Sequence, residues 1–331
     1  MCIKMGCFCC KFEATKPPKK LVYSWVERKH LDPADYVIEN LNGGMAYKPP
    51  GSVSGQQFVI RNCQGSNIYL LDHAGSITVD DCQRCTIVLG PTKQSVFIRD
   101  TTNTTVVVAC SQFRVRDCSS LKISLFCSTQ PVIESSRELQ FSCYQLYYNQ
   151  LSDQFIKANL NIWNNNWRTV YDYTWNEGDN WIVNEEPIAI ELPEELHKYG
   201  ITSELKKSLV PLTKCDQQLG ENCFVAFQCE TEAAQFVQAL YSHDTGLWLI
   251  KCNHCSDKEV QVFQERTKFF GNKKVDSIIG LKIQGTHAIN KCSAILANDF
   301  PQFTAMISNS KAEAEELIKM FFCLTEDDFQ Q

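Results

Sequence analysis

One pattern recurs through the first half of the chain: apolar, any residue, apolar, any residue, small polar, then often cysteine. It reads Phe58-Val59-Ile60-Arg61-Asn62-Cys63, Ile77-Thr78-Val79-Asp80-Asp81-Cys82, Val96-Phe97-Ile98-Arg99-Asp100-Thr101, Phe113-Arg114-Val115-Arg116-Asp117-Cys118 and Pro131-Val132-Ile133-Glu134-Ser135-Ser136. The fifth positions, Asn62, Asp81, Asp100, Asp117 and Ser135, step by 19, 19, 17 and 18 residues. Alternation with period two argues strand, and a fixed period argues a solenoid. Each copy continues into a second short β run, such as Ile68-Tyr69-Leu70-Leu71 or Thr86-Ile87-Val88-Leu89, which leaves no room for a helix of useful length. At ~3.3 Å per residue, nineteen residues trace roughly 60 Å, which suits one turn of a three-sided parallel β-helix with coils ~4.8 Å apart. Asn or Asp at the fifth position suits a corner, where a short polar side chain can bond the local backbone. Residues 21–50, with Trp25 and Tyr36 before a Pro-Pro-Gly stop at 49–51, read as a lead-in.

The register sorts the residues of this repeat. The first and third positions point inward and the second and fourth outward. The column Cys63, Cys82, Thr101, Cys118, Ser136 becomes a line of small corner residues, which explains Cys82-Gln83-Arg84-Cys85 without a zinc ion. Cys252-Asn253-His254-Cys255 lacks a second ligand pair. In the fourth-position column, Arg116 has Arg99 on one side and Glu134 on the other, so an ion-pair ladder accounts for it. Arg114 lies in the second-position column among Val59, Thr78, Phe97 and Val132, with no such ladder. From pattern alone an ordinary surface arginine is the plainer account of it. The other account is a catalytic arginine, fixed in advance on a rigid wall.

Composition bounds the rest. The 331 residues suffice for two domains, and the net charge of −6 gives no electrostatic case for nucleic acid. Eighteen cysteines, without a secretory apolar run ahead of them, read as reduced thiols serving mostly as small core residues. Cys2, Cys7, Cys9 and Cys10 crowd the first ten residues, flanked by Lys4, Lys11, Lys16, Lys19 and Lys20. Acyl chains on cysteine beside a basic patch make a stable membrane anchor. With translation from Met5, Gly6 becomes the N-terminal glycine that myristoylation needs. With translation from Met1, S-acylation at Cys7, Cys9 and Cys10 anchors alone.

Residues 176–220 are acidic and irregular, with Pro187, Pro193 and Pro211, and read as a linker with a short helix at 202–209. From 221 the pattern alternates: strands at 223–228, 246–251, 278–284 and 303–307, helices at 231–242, 257–269, 286–297 and 311–322. That alternation predicts an α/β layer fold. Thr231 and Ser310 mark helix starts.

The run Gln112-Phe113-Arg114-Val115-Arg116-Asp117-Cys118, followed by Thr129-Gln130-Pro131-Val132-Ile133-Glu134-Ser135-Ser136, resembles the tubulin-cofactor-C domain. More closely, the chain resembles the X-linked retinitis pigmentosa type-two protein family. That likeness extends to Tyr23-Ser24-Trp25, Asp32-Pro33-Ala34-Asp35-Tyr36, Gly55-Gln56-Gln57-Phe58, Leu89-Gly90-Pro91, Ile162-Trp163-Asn164-Asn165-Asn166-Trp167 and Met5-Gly6-Cys7-Phe8. The resemblance implies a right-handed parallel β-helix of the tubulin-cofactor-C type. It implies a membrane-tethered activator of a GTP-bound Arf-like small GTPase, which itself carries the GTP and magnesium, so no cofactor is expected here. Arg114 would be the arginine finger and Gln112 its neighbour at the nucleotide. Arg116, Glu134, Tyr173, Asn164 and Asn165 would meet the GTPase. Gly6, Cys7, Cys9 and Cys10 would carry lipid, placing the protein on the cytoplasmic face of the plasma or ciliary membrane, in trafficking of lipidated cargo. The other arm of the same domain family is a tubulin-folding cofactor, and a non-catalytic GTPase-binding adaptor is the third reading.

The second half is similar to nucleoside diphosphate kinase at Gly285-Thr286-His287-Ala288-Ile289 and Ser308-Asn309-Ser310-Lys311-Ala312-Glu313, which implies a ferredoxin-like sheet. Where that enzyme needs its histidine nucleophile, this chain has Met306, so no kinase activity is expected; His287 reads as a surface or helix-start residue. The expected organisation is an acylated basic tail (1–20), a tubulin-cofactor-C-like β-helix (21–175), a linker (176–220) and an inactive α/β domain (221–331).

Overall fold

A computed structural model describes residues 32–174, 179–216, 220–243, 245–267 and 275–326. The chain divides into two units, Met1–Asp35 and Tyr36–Gln331. In the first, the described residues end in a tight turn where Asp32 Oδ1 accepts the Ala34 N–H at 3.0 Å. Gly6, Cys7, Cys9 and Cys10 lie outside the described residues.

The second unit begins with a parallel β-solenoid. One wall carries β1 (Val37–Glu39), β3 (Phe58–Arg61), β5 (Ile77–Asp80), the end of β7 (Thr92–Arg99), the end of β8 (Thr105–Arg116), β10 (Val132–Glu134) and β12 (Tyr171–Asp172). The second wall carries β2 (Met45–Lys48), β4 (Asn67–Leu70), β6 (Thr86–Leu89), the start of β8, β9 (Lys122–Cys127), β11 (Leu139–Cys143) and β13 (Trp181–Val183). The repeat fixes this order because each coil returns its apolar first and third positions to one interior. Phe58, Ile60, Ile77, Val79, Val96, Ile98, Phe113, Val115 and Ile133 are buried in a single core.

The lead-in takes part in the repeat, and one boundary differs from the sequence reading. The lead-in supplies the first coil, since Val37, Ile38 and Glu39 pair with Val59, Ile60 and Arg61. Part of the supposed linker belongs to the solenoid as well: Trp181, Ile182 and Val183 pair with Leu139, Gln140 and Phe141. Among the described residues of 176–220 the helical turns are of the 3-10 kind, at Glu194–Tyr199 and Leu205–Lys207, in place of the short helix expected at 202–209. Residues 144–170, including α1 (Leu151–Lys157), leave the solenoid between β11 and β12.

The corners between the two walls have a repeating construction. The fifth-position residues Asn62, Asp81, Asp100, Asp117 and Ser135 all take positive φ, between 47° and 53°. A second left-handed residue follows three positions later, at Gly65, Arg84, Asn103, Ser120 and Glu138. Asn and Asp tolerate this conformation better than other non-glycine residues, which gives the fifth position a conformational reason for its composition. The next column caps the corner: Cys63 Sγ, Cys82 Sγ, Thr101 Oγ1, Cys118 Sγ and Ser136 Oγ each donate to the carbonyl two residues earlier, at 3.3, 3.3, 2.8, 3.2 and 2.8 Å. Ser66, Cys85 and Thr104 repeat the device at the far side of the corner. Cys82 and Cys85 therefore hold two corner positions of one coil.

At the third side, Asp72 is buried and accepts the Val53 and Ser54 N–H groups at 2.7 Å each. Burial would raise its pKa, but these donors, with those of Gly51 and His73, outweigh it and hold the carboxyl below its usual value. A lowered native pKa contributes stability that is present above the unfolded value, ~3.9, and is lost as pH falls towards the native one. Asp72→Asn should therefore cost about 1–3 kcal/mol near neutrality, where it leaves buried N–H donors without the carboxylate. The gap from wild type should narrow below about pH 4. Urea unfolding at pH 7 and pH 3 checks this, and a gap that widens in acid contradicts it.

The α/β half has the predicted alternation: β14 (Glu221–Phe227), α2 (Glu230–Ser242), β15 (Leu247–Ser256), α3 (Asp257–Thr267), β16 (Ser277–Gly285), α4 (Ala288–Asp299), β17 (Ala305–Ile307) and α5 (Lys311–Glu326). The sheet is antiparallel in the order β15-β16-β14-β17, the ferredoxin-like arrangement. One face packs Val225, Phe227, Leu249 and Cys252 against α2 and α4. The other packs Phe224, Ala226 and Cys255 against α3 and α5. Cys252 and Cys255 are thus in different cores, on opposite faces of the sheet. Cys229, not Thr231, is the N-cap of α2. Ser310 does cap α5, its hydroxyl accepting the Glu313 N–H at 3.2 Å. His287 is an exposed helix-start residue with φ 55°, and Met306 packs against the α5 core.

Candidate functional site

Residues Gln112–Arg116 end the longest strand of the solenoid. Alternation sends Phe113 and Val115 into the core, leaving Gln112, Arg114 and Arg116 exposed on one outward row. Successive members of the row lie about 6.6 Å apart and neighbouring strands about 4.8 Å apart. The register sets Ser95, Phe97 and Arg99 beside them on β7, and Val132 and Glu134 beside Arg114 and Arg116 on β10. Phe113 supports the row from beneath through an edge-to-face contact with Phe141, centroids 6.4 Å apart.

The arginines of this wall differ in their bonding. Arg61 Nε reaches Glu39 at 2.6 Å. Arg99 forms a two-pronged pair with Asp80, at 2.8 and 2.7 Å, and its guanidinium lies 5.2 Å from the Phe97 ring centroid. These hydrogen bonds with Asp80 push the Arg99 pKa up. Arg116 has the neighbours the sequence predicts, but its ion pair goes to Asp117, at 3.1 Å, and not to Glu134. The corner turns Asp117 back beside Arg116, whereas reaching Glu134 means crossing to the next strand. Among the described residues the Arg114 side chain makes no ion pair or hydrogen bond. Its guanidinium has no internal partner to lose when an external anion is offered.

The last coil completes the row. Val132 pairs with Tyr171, and Tyr173 N–H donates to the Ile133 carbonyl at 2.8 Å, so Tyr171 extends the column of Arg114 and Tyr173 that of Arg116. Both rings are exposed, 50% and 69%, which is unusual for large aromatic side chains, and they meet edge to face with centroids 6.4 Å apart. Tyr171 was not among the predicted site residues. The alternation Tyr171-Asp172-Tyr173 carried the signal, but an excursion of 27 residues (144–170) separates it from the repeat and hides its register.

Asn164 and Asn165 are not part of this row. Asn164 Oδ1 accepts the His254 N–H at 2.9 Å, tying the excursion to the α/β half. Asn165 Oδ1 accepts the N–H groups of Cys127 and Trp167 at 3.0 and 3.2 Å. The Asn164 oxygen is thus engaged by backbone of β15 and the Asn165 oxygen by backbone at the end of β9, away from the outward row. Gln112, Arg114, Arg116, Glu134 and Tyr173 do share one outward wall.

Chemically, this wall offers a free guanidinium, an amide, a carboxylate and two phenols in fixed register. Such a surface can present positive charge to an anion carried by another macromolecule.

Comparison with known proteins gives the same region. The family model described as "Tubulin binding cofactor C" matches residues 55–173, which include the whole row. The chain is 36% identical over 333 residues to "Protein XRP2" of Mus musculus, covering 96% of this chain and 95% of that one. It is 34% identical to "Protein XRP2" of Homo sapiens, covering 96% and 97%. "Tubulin-specific chaperone C" of Bos taurus is 28% identical over 162 residues, 48% of this chain and 45% of that one.

Proposed function

The chain belongs to the XRP2 family, and on that premise we propose that it accelerates GTP hydrolysis by an Arf-like small GTPase, with Arg114 supplied in trans as the arginine finger. The observation that carries this reading is Arg114 itself: exposed, without an internal partner, and set by register on a rigid wall. GTP hydrolysis spreads negative charge over the transferring γ-phosphoryl oxygens and the leaving oxygen. A guanidinium inserted there stabilises the transition state more than the ground state. The partner holds the GTP and its magnesium. This chain contributes charge and position only, so it is an activator and the GTPase performs the hydrolysis.

Gln112, two residues earlier on the same row, reaches the nucleotide or the GTPase's own water-positioning glutamine. Arg116, Glu134 and Tyr173 meet the partner around the finger. Phe97 and Val132 limit where Arg114 can lie, which reduces the ordering cost at the moment of insertion. The test is single-turnover hydrolysis of GTP preloaded on Arf-like GTPases, with and without this protein. A rate unchanged by saturating protein rejects the reading.

A tubulin-directed role is the second reading, supported by the partial likeness to tubulin-specific chaperone C. Capture on an Arf-like GTPase loaded with a GTP analogue, against capture on tubulin, separates the two. Binding without rate enhancement would instead establish an adaptor.

The tether is part of the same proposal: acyl chains on Cys7, Cys9 and Cys10, and on Gly6 where translation begins at Met5, hold the protein at the cytoplasmic face of the plasma or ciliary membrane. One chain binds a bilayer only marginally and a second makes the attachment stable. Changing Cys7, Cys9 and Cys10 together to Ser should move the protein from the membrane pellet to the supernatant on cell fractionation. Undiminished pelleting would refute S-acylation as the anchor.

A further inference from the structure

The segment that leads into Tyr171 is fastened to the α/β half at several points. Cys252 Sγ donates to the Trp163 carbonyl at 3.4 Å, and Asn164 Oδ1 accepts the His254 N–H at 2.9 Å. Trp167 is buried in the solenoid core, with Nε1 donating to Thr213 Oγ1 at 2.9 Å. Arg168 follows. Its Nη2 donates to the Ile250 carbonyl at 2.8 Å and its Nη1 to the Lys214 carbonyl. Three residues later the chain becomes β12.

Among the described residues strand β12 has two registered residues and a single neighbour, β10. Such a strand is held along one edge only, so its own ladder fixes it weakly. The guanidinium of Arg168 spans two carbonyls of different segments, one ahead of β14 and one within β15. This planar fork satisfies both at once, which a lysine amine cannot reproduce.

We infer that Arg168 is a positioning residue for recognition of the GTPase: by clamping the entry to β12 onto the α/β half, it holds Tyr171 and Tyr173 in line with Arg114 and Arg116. This rests on the reading of Arg114 given above. It gives the α/β half a part in the same activity, as the fixed support of the aromatic end of the recognition wall. Arg168 touches neither nucleotide nor reacting atoms, so its loss raises the concentration needed for engagement and leaves the engaged rate intact.

The experiment uses the full chain and compares wild type, Arg168→Met, Arg168→Lys and the double change Tyr171→Ala with Tyr173→Ala. Single-turnover hydrolysis is followed across a titration of each protein against the preloaded GTPase. Arg168→Met should raise the half-saturating concentration at least fivefold with the maximal rate within twofold of wild type, and Arg168→Lys should fall between. The tyrosine variant, whose side chains are exposed, should show the same split. In the isolated protein, amide exchange at Tyr171 and Tyr173 should quicken at least tenfold in Arg168→Met, while residues 113–115 keep their protection. An unchanged half-saturating concentration, or exchange that quickens equally in both segments, overturns the inference. If wild type itself gives no stimulation, the Arg114 reading fails; the exchange comparison still decides whether Arg168 positions β12.

Discussion

Arg114→Ala should lower the stimulated rate of GTP hydrolysis by about 10³-fold or more, since arginine fingers are worth ~10³–10⁵ in rate. A thousandfold corresponds to about 4 kcal/mol of transition-state stabilisation. The loss should fall on the maximal single-turnover rate. Capture of the GTPase should weaken far less, because Gln112, Arg116, Glu134, Tyr171 and Tyr173 remain on the wall. Fold stability should change by no more than about 0.5 kcal/mol, because Arg114 is exposed and has no internal partner to forfeit. Arg114→Lys should recover little: an amine lacks the planar fork that contacts two oxygens together. Arg116→Ala is the internal control. Arg116 already pairs with Asp117 at 3.1 Å, and its removal should cost partner affinity more than maximal rate. Undiminished hydrolysis with Arg114→Ala removes the finger assignment.

Phe113→Ala should have the opposite profile, with about 3–5 kcal/mol of stability lost. The ring is fully buried and lies edge to face with Phe141, which in turn meets Trp181 edge to face with centroids 6.1 Å apart. Truncation leaves a void against Phe141, inside the core and two coils before the end of the solenoid, where the close-packed neighbours cannot fill it. The outward row loses its support from beneath, so activity should fall in step with the folded fraction and recover on cooling or with stabilising osmolyte. Denaturant unfolding measures the first effect. A loss below about 1 kcal/mol would mean that the strand does not pack as described. Together the two substitutions, one residue apart, separate the chemistry of the wall from the packing that carries it.

Much of this was legible in the chain because the solenoid repeats itself. Period two and a step near nineteen assign faces without any long-range contact, and so placed Gln112, Arg114 and Arg116 outward and Phe113 and Val115 inward. The corner column accounted for Cys82 by the same means, whereas the second column, which holds Ser66, Cys85 and Thr104, emerged only in the structure. In the second half, the alternation of strand and helix was readable because each element has its own hydrophobic period.

What the sequence could not decide is what depends on groups meeting across distance. Arg116 has Glu134 beside it in register, yet the left-handed turn at Asp117 brings a nearer carboxylate, and the shorter path wins. Asn164 and Asn165 stand within a run that resembles a family motif, but backbone N–H groups of residues 127, 167 and 254 claim their oxygens. Tyr171 joins the column of Arg114 only after the excursion has folded back. Arg168 shows no role until the carbonyls of Lys214 and Ile250 are brought to it. A repeat determines its own register locally, because every coil is a template for the next. The closing coil has no successor, so tertiary contacts with the α/β half decide where it lies.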